Sequence, residues 1–387
     1  MSTLKTTNLQ HASAASPAIV LAADGSATAQ VSSLNGGPLS GTRNRIINGD
    51  MRIDQRNGGA SVTITSTAAD TYTLDRWAAF GSVASKFSVQ QNAGSVTPPA
   101  GFTSYLGATS LSAYTPGAAE SFILYQRIEG YNAADLGFGL PSAQSVTISF
   151  WVRSSLTGTF GGSLRNESAA RSYPFSYTIS AANTWEQKTV TISGDTTGTW
   201  NKTNGRGIEL FFSLGCGSSN SGTAGSWAAA SFFSATGATS VVGTNGATFY
   251  ITGVQLEAGT VATPFERRSY GQELALCQRY AYAWGNNGAQ FAAVGGNGLY
   301  GDANTLTMLL IDLNASVMRT VPTTITTVGT QGTDWAVQSS AGANQTGFTL
   351  TTGVGVLTAT KTSHGLGTSA NLRVLTSSGR IIVSSEL

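Results

Sequence analysis

The residues best suited to hold another molecule are aromatics set in loops of Gly, Ser, Thr and Asn. DTTGTWN (195–201) carries Trp200 and Asn201, SSNSGTAGSW (218–227) ends in Trp227, and NESAARSY (166–173) adds Arg171 and Tyr173. Proteins bind sugars with an aromatic face against the apolar side of the pyranose ring and with Asn, Arg or Asp on the hydroxyls. Loops on a rigid β scaffold are where such recognition sits. For any one of these residues, anchoring its own loop is the commoner role, and contact between subunits is a further one.

Catalytic chemistry finds little support. His11 and His364 are the only histidines, and neither has a Cys, His or carboxylate at metal-ligand spacing. No Gly-x-Ser-x-Gly elbow accompanies either one. Acids are available for glycoside cleavage, among them Asp50, Asp54, Asp70, Asp75, Glu120, Glu129, Asp135, Glu167, Glu186, Asp195 and Glu209. Nothing in their spacing marks a pair, and ion pairing with the 21 Lys and Arg residues is the default. Cys216 and Cys277 form neither a disulfide framework nor a metal spacing and read as reduced thiols. Calcium held by loop carbonyls is compatible with such a chain, although no EF-hand spacing is present. We therefore expect no enzyme and no cofactor.

The elements that would position the loops are strands. Charged residues make up 10% of the 387 residues, against roughly 25% in an average soluble protein. Gly supplies 47 positions, and seven Trp, twelve Tyr and sixteen Phe are available for burial. Low charge with Thr, Ser, Gly and aromatics describes an all-β chain rich in turns. So weakly charged a surface suits a permanent assembly. A net charge of +2 is too small for a nucleic-acid binder. No run approaches the ~18 apolar residues of a membrane span. MSTLKTTNLQHASAASPAIV lacks a signal peptide's basic start and apolar run, which implies assembly in a cytoplasm.

Four units follow. Residues 1–42 form an arm in which AIVLAADGSATAQV reads as strand, turn and strand. Residues 43–262 carry strands at the short spacing of a β-sandwich; in SVTISFWVRSS, Val146, Ile148, Phe150 and Val152 should point inward. IEGYNAADLGFG offers a helical turn. Residues 263–285 hold a bridging helix, and 286–387 a second, smaller β domain. The bridge begins in TPFERRSYGQELALCQRYAY. Ser269 and Gln272 fit a capping box, and Tyr270, Leu274, Cys277 and Ala281 fall at helical spacing. A helix of about 14 residues would span roughly 20 Å. Arg267, Arg268, Glu273 and Arg279 form one of two charge islands, expected at inter-domain or inter-subunit contacts. The other is RNRIINGDMRIDQRNGG (43–59), where alternation over 51–55 suits a strand. Asp75-Arg76-Trp77 reads as a strand with Trp77 buried.

Several of these stretches resemble the tail fibre and other tail-associated proteins of tailed bacteriophages. They are NRIINGDMRIDQRNGG, YTLDRWAAF, YQRIEG…VTISFWVRSSLTGTF, FYITGVQLEAGTVATPFERRSYGQELALCQRYAY, VMRTVPTTIT and the final RIIVSSEL. TTNLQHASAASPAIVLAADGSA is similar to the attachment segments that precede such modules. The resemblance implies a carbohydrate-binding-module-like jelly roll, a second β domain and a homotrimer in the virion tail. Residues 1–42 would dock to other tail or baseplate proteins, and the sandwich would bind host surface glycan. It carries no catalytic residues over. Long shafts of that family use repeats or coiled coil, and none appears here, which points to a compact fibre or baseplate component. A structural adaptor or decoration protein, a polysaccharide depolymerase and a cellular carbohydrate-binding module are the competing readings.

Overall fold

A computed structural model describes residues 43–285, 318–319 and 380–387, together with isolated strands and a bridge residue among 1–42 and 286–379. Twelve strands build the centre of the molecule: β1 (Val62–Thr63), β2 (Thr71–Leu74), β3 (Trp77–Gly81), β4 (Phe87–Gln91), β5 (Leu106–Ser110), β6 (Ser121–Glu129), β7 (Val146–Ser154), β8 (Gly158–Arg165), β9 (Ser172–Ile179), β10 (Glu186–Ile192), β11 (Arg206–Cys216) and β12 (Thr248–Ala258). They pair into two six-stranded antiparallel sheets, ordered β10-β7-β12-β5-β4-β1 and β9-β8-β11-β6-β3-β2. The chain passes repeatedly between the sheets, as in a jelly roll, and the expected all-β sandwich is what is found. Period-two alternation places the core: Val146, Ile148, Phe150 and Val152 on β7 are fully buried against Phe160, Phe175, Phe212 and Trp77.

One glycine is dictated by the sheet. β12 bulges opposite β7: between the pairs Ser149–Gln255 and Trp151–Thr252 its Val254 and Gly253 face the single residue Phe150, and Gly253 has φ +60°. A Cβ there would come 2.6 Å from the Phe102 ring. The bulge thus lets Phe102 and Trp151 lie against the outer face of the first sheet.

In the arm, Ile19–Leu21 pairs antiparallel with Ala27–Ala29, the expected strand, turn and strand, and Asn8–Leu9 adds a third strand. The expected helical turn after β6 takes the form of two short 3-10 turns, Gly130–Asn132 and Ala134–Leu136. After the sandwich comes α1 (Tyr270–Gln278), then β13 (Ala281–Gly285), which pairs with β15 (Arg380–Ser384), which in turn pairs with β14 (Thr324–Val328). His11 and His364 lie outside the described residues.

Three expectations need correction. The helix has nine residues, not about 14, although its capping box forms between Ser269 and Gln272. Its buried residues are Glu273 and Cys277, with Tyr280 buried in the turn just beyond its end, while Tyr270 is 56% exposed. The charged Glu273 is drawn inward by partners that the helical period does not reveal. Residues 51–55 form no strand. Met51 and Ile53 are buried as the alternation implied, but positive φ at Asn48 and Met51 turns the chain away from a ladder. Asp75-Arg76 is not strand either. It is the tight turn between β2 and β3, with Leu74 opposite Trp77 and Arg76 at φ 70°. Trp77 is fully buried as expected, and Asp75 and Arg76 are buried with it.

Candidate functional site

The loop aromatics meet at one end of the sandwich. The β8–β9 turn is folded by Asn166, whose side-chain oxygen accepts from the backbone N–H of Ala170 and of Arg171, both at 3.0 Å. Its amide donates to the Thr199 carbonyl at 2.9 Å, which ties this turn to the 195–201 loop. Arg171 completes the tie with a bidentate pair to Asp195 at 2.8 and 2.7 Å. Burial pushes the Asp195 pKa up, but the bonds from Arg171 and Thr197 outweigh it and hold the carboxyl below its usual range. The third loop docks on the edge strand β9 through the bridge between Ser172 and Ala228.

Around that frame the rings pack edge to face. Trp227 lies 5.5 Å from Trp200, 5.3 Å from Tyr173 and 5.9 Å from Phe138. The Arg171 guanidinium is 5.9 Å from the Trp227 ring. Four of the five residues named from sequence therefore share one cluster, and Asn201 sits beside it, donating to Glu167 at 2.8 Å. They are not equally open. Trp200 is 7% and Tyr173 8% exposed, whereas Trp227 is half-buried and follows the exposed run 223–226. Both indoles donate to backbone, Trp227 to Ser193 at 2.7 Å and Trp200 to Thr197 at 3.2 Å. Phe138, at the centre of the cluster, was missed. It lies in the helical-turn segment about 60 residues before Trp200, with no local signal linking the two.

The charge islands meet at a second place, the junction where α1 and the last residues pack against the sandwich. Glu273 accepts from the Asn48 N–H at 2.5 Å and from Arg268 at 3.2 Å. Arg268 also donates to the carbonyls of Ile46 and Asn44. Arg279 makes a bidentate pair with Glu129 at 2.9 and 2.7 Å, and Tyr280 donates to the same carboxylate at 2.7 Å. Burial raises the Glu129 pKa, yet these bonds prevail and keep it below the ordinary value. Arg76 lies 3.5 Å from the Tyr280 ring centre and donates to Glu386, which also pairs with Arg56 at 2.6 Å. Arg268, Glu273 and Arg279 thus bind α1 to the sandwich within one chain. Arg267 differs: it is exposed, lying over the Phe102 ring at 4.7 Å.

The acids considered for hydrolysis are engaged in structural bonds. Glu209, fully buried on β11, receives Arg127, Arg165 and Arg206 at 3.0, 2.7 and 3.2 Å. Asp75 has a pKa raised to about 6 by burial, against the opposing pull of Arg56 and the Gln55 hydrogen bonds. A general acid needs such a shift, but Asp75 is 0% exposed and reaches no open groove. Among the described residues, Cys216 and Cys277 are free thiols; burial pushes the Cys277 pKa far up, which makes it inert.

No protein-family model matches the chain, and no curated protein matches it. Solved structures do match, at low identity. The enzymatically active domain of bacteriophage CBA120 tailspike protein 4 aligns at 12% identity and a TM-score of 0.28, over 56% of this chain and 21% of that chain. A putative sugar binding protein from Bacteroides thetaiotaomicron aligns at 12% identity and 0.32, over 56% of this chain and 100% of its own. The family 11 carbohydrate-binding module of Clostridium thermocellum, in complex with a mixed-linked tetrasaccharide, aligns at 10% identity and 0.26, over 52% and 98%. The sandwich is established by the strand pairing itself.

Proposed function

We propose that the chain is a non-catalytic, glycan-binding subunit of a bacteriophage tail. Its arm docks to the virion and its loop end faces the host. The observation that carries the glycan reading is Trp227, a half-buried ring beside the Arg171–Asp195 pair, in a cluster built from three separate loops. A ring flanked by a fixed guanidinium and carboxylate offers the apolar face and the hydroxyl partners that a pyranose needs. Asn201 stands at the rim. The phage reading rests on the sequence resemblance; segments from its blocks, among them Asp75-Arg76-Trp77, Glu129, residues 263–282 and the final strand, meet at the junction. In a homotrimer, weak sugar sites on three copies gain avidity by engaging together. Arg267 and the exposed Tyr270 are the residues we assign to contacts between copies.

A structural adaptor within the tail is the second reading. It is favoured by the covered state of Trp200 and Tyr173 and by the internal use of both indole N–H groups. An array of bacterial surface polysaccharides probed with the purified chain separates the two. Binding to a subset of glycans, weakened in Trp227→Ala, supports the receptor role. A folded chain that binds none supports the adaptor. A separate measurement of mass in solution, with Arg267→Glu alongside, tests the trimer; a monomeric parent chain would contradict it.

A further inference from the structure

A cavity of about 460 Å³ opens between the sandwich edge strand β2 and the small sheet β13-β15-β14. Its two walls come from opposite sides of the junction. On β14, Thr324 and Thr326 are two apart and share a face, and their cross-strand partners Ser384 and Ile382 line the same cavity. On the facing wall stand Thr71, the ring of Tyr72, Asn57 and Asp70. Thr324 and Thr326 are exposed and Thr71 is half-buried, and all three line the cavity, so their hydroxyls are open to a ligand that enters it. Burial, with Glu386 nearby, pushes the Tyr72 pKa up to about 12, so its hydroxyl stays protonated at neutral pH.

The charges in the lining are already matched. Arg56 pairs with Glu386 at 2.6 Å, and Arg127 pairs with Asp70 at 2.6 Å. An ionic ligand would have to break one of these bridges, which leaves a charge uncompensated. A neutral ligand that both donates and accepts can satisfy the threonine hydroxyls and leave the bridges intact. The volume falls within the roughly 300–1,000 Å³ of small-molecule sites.

We infer that this cavity is a second binding site, for a neutral saccharide of one or two rings, held between the sandwich edge and the small sheet. It is separate from the loop end and does not depend on Trp227. Ligand bound there would touch both β2 and β14 and so would stabilise their docking.

The test uses the full chain and saturation-transfer NMR with glucose, galactose, mannose, N-acetylglucosamine and lactose, each probed separately. N-acetylneuraminate serves as the charged comparison. At least one neutral sugar should give transfer, and Trp227→Ala should retain it. Thr326→Trp in the Trp227→Ala background, which fills the cavity, should abolish the transfer that remains. The double variant Thr71→Val/Thr326→Val, which removes two hydroxyls with little change of shape, should weaken it about tenfold. The inference is overturned if none of the five sugars gives transfer, if both cavity variants bind as the parent does, or if N-acetylneuraminate binds as well as the neutral sugars. Transfer lost in Trp227→Ala would also overturn it, placing the sugar at the loop end and leaving the glycan reading there intact.

Discussion

The junction and the loop end each gather side chains from distant parts of the chain, by different physics. At the junction, charges do the joining. Glu273, Glu129 and Glu386 each receive an arginine, and the buried Asn48 is bonded through its backbone N–H, carbonyl and side chain. At the loop end, rings pack edge to face and one Arg–Asp pair closes the rim. A buried ion pair is costly to break from one side, because the remaining charge stays in a poor solvent. An aromatic cluster tolerates loss more locally and leaves an apolar surface that another molecule can cover. Among the described residues, the buried charges named here join the parts of the chain, and the half-buried Trp227 is the ring we propose for recognition.

The sharpest way to break this contrast is Glu273→Ala. It strips Arg268 and the Asn48 N–H of a buried acceptor, and we expect a loss of about 3–5 kcal/mol in urea unfolding. A loss below about 1 kcal/mol would mean that the junction is not held by its charges. The next effect is pH dependence. Asp75 titrates at about 6 in the folded chain instead of near 3.8, so between those values the folded state holds a proton that the unfolded chain has released. Its contribution to stability therefore falls as pH rises through that window, by roughly 2–3 kcal/mol. Asp75→Asn should remove this slope. Glu129 and Asp195 act with the opposite sign: their carboxyls lie below the usual range, so they contribute stability that is lost on acidification through their folded pKa values.

At the loop end, Trp227→Ala should cost about 1–2 kcal/mol, less than truncation of a fully buried Trp, because the ring is only half-buried. The smallest effect belongs to Arg45→Ala. Its partner Asp135 has a side chain 56% exposed, and such pairs contribute less than about 1 kcal/mol.

Much of the fold was legible because β periodicity is local. The inward positions of β7, the strand pair in the arm and the capping box all follow from residues within a few places of one another. What could not be read were the long-range partners. Residues 51–55 alternate like a strand, yet hydrogen bonds from Asn48 to Ile53 and Asp75, and from Gln55 to Asp75, fold them as a coil. The inward turn of Glu273 depends on Asn48, 225 residues away. The candidate loops were legible by composition and do share one cluster. Their exposure was not, since the rings that cover Trp200 come from Phe138 and Trp227.

The central claim, that the loop end binds host surface glycan through Trp227 while the buried charges of the junction hold the chain together, is tested most directly by adsorption of the fluorescently tagged chain to bacterial cells from a panel of strains. The account predicts saturable binding to some strains that falls at least tenfold, about 1.4 kcal/mol, in folded Trp227→Ala. It predicts no change in Arg45→Ala. Equal adsorption by Trp227→Ala and the parent chain, or no adsorption by a folded parent to any strain, would contradict it.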